Sequence, residues 1–281
     1  MLIVGVDPGL RHIGLAALAH GAGGAAVEGL PAWRPHAGGA RAAPPAEPVD
    51  PDGWALATMQ TVPLTPPPRG LDAAPVQLPH RGNDPKGAAV LGAHAQQASL
   101  GAKRFMSELR DLHPVIAVGF ERVPWQLNDP DGRGAPGEIL ATTGALLAAV
   151  CDANTRTGAP DGAPPRAPLF AEANQIRVKH WACGLSGAVT QAVPETAPLE
   201  ALTRMVPARP SRSSDHSVDA ALVALYTLAG MLAHAPGCVC SCGLPWGVAG
   251  WRLRSERMMS PSRWCAGPGR AHAKTRAPTG G

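Results

Sequence analysis

Two acids in this chain close short apolar runs, and a third opens a long apolar helix. Asp7 follows Leu2, Ile3, Val4 and Val6, and Glu121 follows Val115-Ile116-Ala117-Val118-Gly119-Phe120. Runs of this β-branched, apolar kind read as buried strands. In SSDHSVDAALVALYTLAGMLAH, His216 and Asp219 are three apart and Asp215 and Asp219 four apart. Either spacing puts both side chains on one face of a helix, within its first turns. A lone carboxylate at the end of a buried strand is costly unless a cation or a backbone donor pairs with it. If the two strands are parallel neighbours, Asp7 and Glu121 share one edge of a sheet. His216 and Asp219 then complete an oxygen-rich site suited to Mg²⁺ or Mn²⁺. Two such ions about 3.5–4 Å apart can activate a water and stabilise the leaving oxygen of a phosphodiester. Plainer readings stand beside these: Asp7 as a turn former, Glu121 as a solvated strand end, and His216 as decoration at a helix start. Asp215 reads as an acid favoured in a first helical turn.

The elements that must position these groups alternate between strand and helix, which implies an α/β sheet with helices on its faces. Pro8-Gly9 bends the chain after the first strand, and His12 to Ala19 returns as its antiparallel partner. Gly24 to Gly29 reads as a third short strand. From 31 to 92 the sequence changes character and holds thirteen of the 31 prolines, so it is read as a mostly disordered, proline-rich insertion. A lid or partner-binding loop is its functional alternative. Leu100, Phe105, Met106, Leu109 and Leu112 recur at helical spacing before His113-Pro114 ends the segment. Glu138 to Ala153 reads as a helix whose small residues (Gly144, Ala145, Ala148, Ala149) permit close packing on a sheet. Leu169 to Ala171 is a short strand, EANQIRVKHWACGLSG a turn and short helix, and Leu199 to Met205 a further helix. The last helix takes Ser213 or Ser214 as its N-cap, with Leu222, Leu225, Leu228 and Leu232 as its apolar stripe.

Composition narrows the class. No run of 18 apolar residues is present, which predicts no membrane span, and the N-terminus lacks the basic region of a signal peptide. Six scattered cysteines in 281 residues do not form a secreted disulfide framework, so a reducing cytoplasm is expected. Cys238, Cys240 and Cys242 form a CxCxC run, which fits poorly with the CxxC spacing of zinc sites. The net charge of +4 hides an asymmetry: residues 236–281 carry seven cations and one acid, leaving the body slightly acidic. A basic tail suits a nucleic-acid partner.

The chain resembles the RuvC family of Holliday-junction resolvases, in the RNase H-like nuclease superfamily. The resemblance rests on VGVDPGLRHIGLA at 4–16, IAVGFERV at 116–123, GEILATTGALLAAV at 137–150, NQIRVKHWACGLSGA at 174–188 and DHSVDAALVALY at 215–226. It covers roughly 1–30 and 93–233, and the ordered set is more specific than any single block. It implies an RNase H-like mixed sheet of about five strands flanked by helices. The nuclease domain would comprise 1–30 and 93–235, interrupted by the 31–92 insertion and followed by a flexible tail at 236–281. Asp7, Glu121 and Asp219 look like three metal ligands and His216 the fourth. Mg²⁺, with Mn²⁺ as substitute, is the implied cofactor, two ions to a site. Lys179 looks like a contact to the scissile phosphate, and Arg11 and Arg122 like further DNA contacts. Trp125 takes the place of a wedge that stacks at the junction centre, where base stacking is worth about 1–3 kcal/mol. The lysine that such enzymes carry shortly after the glycine-serine stretch is missing near Val189-Thr190-Gln191.

The implied activity is paired hydrolysis of a four-way junction by a homodimer, giving 5′-phosphate and 3′-hydroxyl ends, with a branch-migration helicase as partner and no membrane. Other readings are a related nuclease acting on flaps, forks or RNA–DNA hybrids, and a junction-binding protein that does not cut. A sugar-kinase or actin-like ATPase would need a second glycine-rich phosphate loop, which the sequence does not clearly hold.

Overall fold

The computed structural model describes residues 1–9, 11–31, 50–64, 85–109, 114–122, 135–156, 168–185, 192–209 and 213–233. The strands are β1 (Leu2–Pro8), β2 (His12–His20), β3 (Ala25–Ala26), β4 (Trp54–Pro63), β5 (Val115–Glu121) and β6 (Leu169–Ala173). The helices are α1 (Pro85–Glu108), α2 (Ala135–Arg156), α3 (Gln175–Ala182), α4 (Ala197–Met205) and α5 (Asp215–Ala233). The strands form one sheet in the order β3-β4-β2-β1-β5-β6. β1 is antiparallel to β2, and parallel to β5 on its other side. β5 and β6 are parallel. This is a mixed α/β sheet with helices on its faces, with six strands where about five were expected.

One strand, Trp54–Pro63, falls inside the 31–92 segment, where no strand was expected. Trp54–Pro63 pairs with β2 along its whole length, from His20↔Trp54 to His12↔Pro63. A bulge hides its alternation: Ala17 opposes Thr58 while Leu18 opposes Leu56, leaving Ala57 extra. One inserted residue reverses the two-residue phase of a strand. Trp54 and Leu56 thus face the same side as Met59, and Ala57 and Val62 face the other. α1 also starts earlier than its apolar periodicity suggests. Pro85 is its first residue, a position where the missing N–H costs nothing. The rest of the proposed insertion, 32–49 and 65–84, lies outside the described residues, as do the tail and its cysteines.

Each face of the sheet carries its own core. Leu2, Val4, Val6, Ile13, Leu15 and Val118 pack under α1 and α2 with Phe105, Met106 and Leu146. Ile3, Ala16, Leu18 and Ala117 pack under α3, α4 and α5 with Leu202, Leu222 and Leu225. α2 rests chiefly on α1, and its Gly144 and Ala148 are exposed, so they do not serve the close packing on a sheet expected of them. α5 is apolar on all sides because it lies between the sheet and the two smaller helices. By length and composition it alone among the described residues could cross a membrane, but Ala220 through Leu225 are buried against the sheet.

α5 rests on the sheet with almost nothing between. Gly5 of β1, Gly14 of β2 and Gly119 of β5 form a floor beneath it. A Cβ on Gly5 would overlap the Ala220 carbonyl oxygen, one on Gly14 the His216 carbonyl oxygen, and one on Gly119 the Thr227 hydroxyl. Gly5 and Gly119 are direct neighbours in the parallel pair. The helix thus starts over the ends of β1 and β2 and descends along the sheet.

Candidate metal centre

Alternation along the strands decides which way the acids point. Asp7 is two residues beyond Gly5, and Glu121 two beyond Gly119, so both project on the α5 face. The parallel pairing brings β1 and β5 to the same edge. Asp219, one turn into α5, comes down from above. One carboxylate oxygen from each of Asp7, Glu121 and Asp219 lies within 4.8 Å of the others. Asp7 is buried, and Glu121 and Asp219 are half-buried.

The first turn of α5 is fixed by hydroxyls. Ser214 is the N-cap, as one of the two expected serines. Its Oγ accepts from the Ser217 backbone N–H at 3.3 Å, and the Ser214 N–H donates to Ser217 Oγ at 3.0 Å, a reciprocal cap. Thr61 of β4 and Ser214 also bond through their hydroxyls, tying the unforeseen strand to the helix that carries His216 and Asp219. α3 is capped by Asn174, whose Oδ1 accepts from the Arg177 N–H at 3.3 Å. Trp181 secures it further by donating from Nε1 to the Pro31 carbonyl at 3.1 Å and packing edge-on against Tyr226. This places Lys179 Nζ 2.8 Å from Asp219 Oδ2. His216 Nδ1 lies 2.7 Å from Asp7 Oδ2.

The site's electrostatics follow from three acids crowded where water is scarce. Burial, the Asp7 charge, a hydrogen bond to Asp7 and the Asp219 charge push the Glu121 carboxyl up to about 9, with Lys179 opposing. Burial also raises Asp219, against the pull of Lys179. The hydrogen bond to Asp7 raises His216 above its ordinary range, and burial opposes it. Glu121 Oε2 is buried with no hydrogen-bond partner among the described residues. An all-carboxylate set with an orphaned oxygen fits a hard divalent cation, which takes oxygen ligands and relieves like-charge repulsion.

Of the residues singled out in the sequence, Asp7, Glu121, Asp219, His216 and Lys179 come together. Arg122 follows Glu121 but leans to the sheet's outer edge, with Nε 3.5 Å from Glu172 Oε1. Arg11 is exposed in the β1–β2 turn, and its carbonyl accepts from the Leu64 N–H at 2.7 Å. Asp215 is exposed at the helix start. Trp125 lies outside the described residues. Three features went unread: Thr61, the part Ser217 plays in the cap and the glycine floor. A signal for the floor exists, since GVD at 5–7 and GFE at 119–121 both place a glycine two residues before the acid on the same strand face.

No protein-family model matches the chain, and no curated protein matches it. Among solved structures, the chain is similar to Thermus thermophilus RuvC at 15% identity. That match covers 82% of this chain and 94% of that one, with a TM-score of 0.42. It is likewise similar to T. thermophilus RuvC in complex with a Holliday junction substrate at 15% identity, over 80% and 92% of the two chains, with a TM-score of 0.42.

Proposed function

We propose that this chain is a divalent-metal-dependent endonuclease that cuts four-way DNA junctions as a homodimer, leaving 5′-phosphate and 3′-hydroxyl ends. The observation that carries the reading is the convergence of Asp7, Glu121 and Asp219, with Glu121 Oε2 buried and unpartnered among the described residues. The ordered set of motifs resembling the RuvC family supports the choice of substrate.

Asp7, Glu121 and Asp219 would hold Mg²⁺ or Mn²⁺, with His216 beside them as a fourth ligand. Bound there, the cation supplies Lewis acidity to phosphodiester hydrolysis. The carboxylates anchor it, and Glu121 gives up its proton on binding. Lys179 neutralises Asp219 and stands close enough to the cluster to bind a phosphate oxygen of the strand being cut. In the reaction a water oxygen bonds to phosphorus, the bond from phosphorus to the 3′-oxygen breaks, and the 3′-oxygen takes up a proton. No side chain becomes covalently attached. Cutting two strands of like polarity across one junction requires two such sites, and hence two copies of the chain.

The test is cleavage of a labelled four-way junction beside matched linear duplex, flap and RNA–DNA hybrid, with and without Mg²⁺ or Mn²⁺. Paired, metal-dependent nicks on the junction are expected, and Asp7→Asn should abolish them while leaving junction binding in place. Cutting confined to flap or hybrid would keep the chemistry and move the substrate. Cutting by pure Asp7→Asn at the wild-type rate would overturn the assignment of the site.

A further inference from the structure

His12 has no part in the reading above, yet it touches the site. It opens β2 on the same strand face as Gly14, the glycine that seats the His216 backbone. Its ring stacks on that of His216, with centroids 5.5 Å apart and planes 29° from parallel. Gly9 bounds the same imidazole from the β1–β2 turn, where a Cβ would come within 3.1 Å of His216 Cε1. The His216 ring therefore meets the β1–β2 turn at Cε1 and the flat face of a second histidine.

We propose that His12 is a positioning residue for His216: its ring face fixes the rotation of the His216 imidazole, so that Nδ1 stays on Asp7. The proposal deepens the metal-dependent nuclease reading and rests on it. The His216 side chain is 39% exposed, and an imidazole that open would otherwise turn about its Cβ–Cγ bond and leave Asp7. Its hydrogen bond is directional and short, at 2.7 Å, so a modest rotation would lose it. Aromatic faces in offset contact resist that rotation, and partners that orient a metal-site histidine raise the affinity of the site. Among the described residues no hydrogen bond or ion pair engages the His12 side chain. Its ring plane is what the structure uses.

The experiment compares full-length wild type with His12→Ala, His12→Leu and His12→Phe. It measures Mn²⁺ affinity from the free-ion paramagnetic signal, and the His216 ring by ¹⁵N NMR. Alanine and leucine are expected to weaken Mn²⁺ binding by about three- to tenfold and to broaden the His216 ring signals. Phenylalanine, which keeps a flat face, should stay within about twofold of wild type. Leucine keeps bulk without a plane, so it tests the proposal even where alanine misfolds. Wild-type affinity and ring signals in both alanine and leucine variants would overturn the proposal. So would a phenylalanine variant as weak as alanine, since a ring nitrogen rather than the plane would then matter. If wild type takes up no Mn²⁺, or Asp7→Asn binds it unchanged, the metal reading fails and this proposal falls with it.

Discussion

Glu121 is the residue whose state says most about the site. With its carboxyl pushed up from an ordinary 4.5 to about 9, the folded metal-free chain holds one more proton than the unfolded chain between those values. Stability supplied by that proton is complete below 4.5 and is lost as pH rises through 9. The upward shifts of Asp219 and His216 act with the same sign. The melting temperature of metal-free protein should therefore fall from pH 5 to pH 9, and Glu121→Gln should flatten the slope. Saturating Mg²⁺ should raise the wild-type melting temperature more at pH 8.5 than at pH 6, because binding displaces the proton. A metal-free slope that Glu121→Gln leaves intact would show that another group carries it. Lys179→Ala removes the cation 2.8 Å from Asp219, so it should slow cleavage more than it weakens junction binding. The acids and the histidine were legible in the sequence because each ends a strand or begins a helix. Lys179 was not legible from spacing. It lies forty residues before Asp219, and only the docking of α3 onto α5 makes them neighbours.

At the scale of elements, strands bounded by turns and helices with an apolar stripe were readable. β4 was not, since the Ala57 bulge reverses its phase and proline-rich sequence surrounds it. Neither was the closeness of α5 to the sheet, which depends on side chains that are missing. That closeness is open to measurement. Gly5→Ala should cost about 1–3 kcal/mol in urea unfolding, as overpacking does, and should lower Mn²⁺ affinity by lifting α5 off β1. Gly144→Ala is the contrast: it lies mid-helix in α2 with nothing within 4 Å of an added Cβ. It should stabilise by up to about 1 kcal/mol. Equal effects from the two substitutions would mean that α5 does not depend on the glycine floor. Thr61→Val removes the hydroxyl bonded to Ser214, and the same affinity measurement would register any loosening of the first turn of α5.

The described residues form a sheet with a core on each face, and the acidic cluster lies at the edge where β1 and β5 end together. Its overall architecture followed from the order of apolar runs, because parallel neighbours joined through helices leave few arrangements. Charge is distributed on the same scale. The body is slightly acidic while residues 236–281 hold seven cations against one acid. Deleting that segment should weaken binding to all DNA alike and make the salt dependence shallower, since fewer counterions are released. An unchanged slope of affinity against salt would remove the tail from DNA binding.

The order of the site residues along the chain carries a consequence in time. Asp7 is synthesised before Glu121, which joins it at one sheet edge once β5 has paired. Asp219 and His216 arrive about a hundred residues later, on the helix that covers both. At about 5–20 residues per second, a nascent chain spends several seconds with the first two carboxylates made and the last two site residues still to come. A ribosome-bound intermediate thus lacks the complete acidic cluster until α5 has emerged and settled. The cluster is completed only when the sheet that must support it is already built.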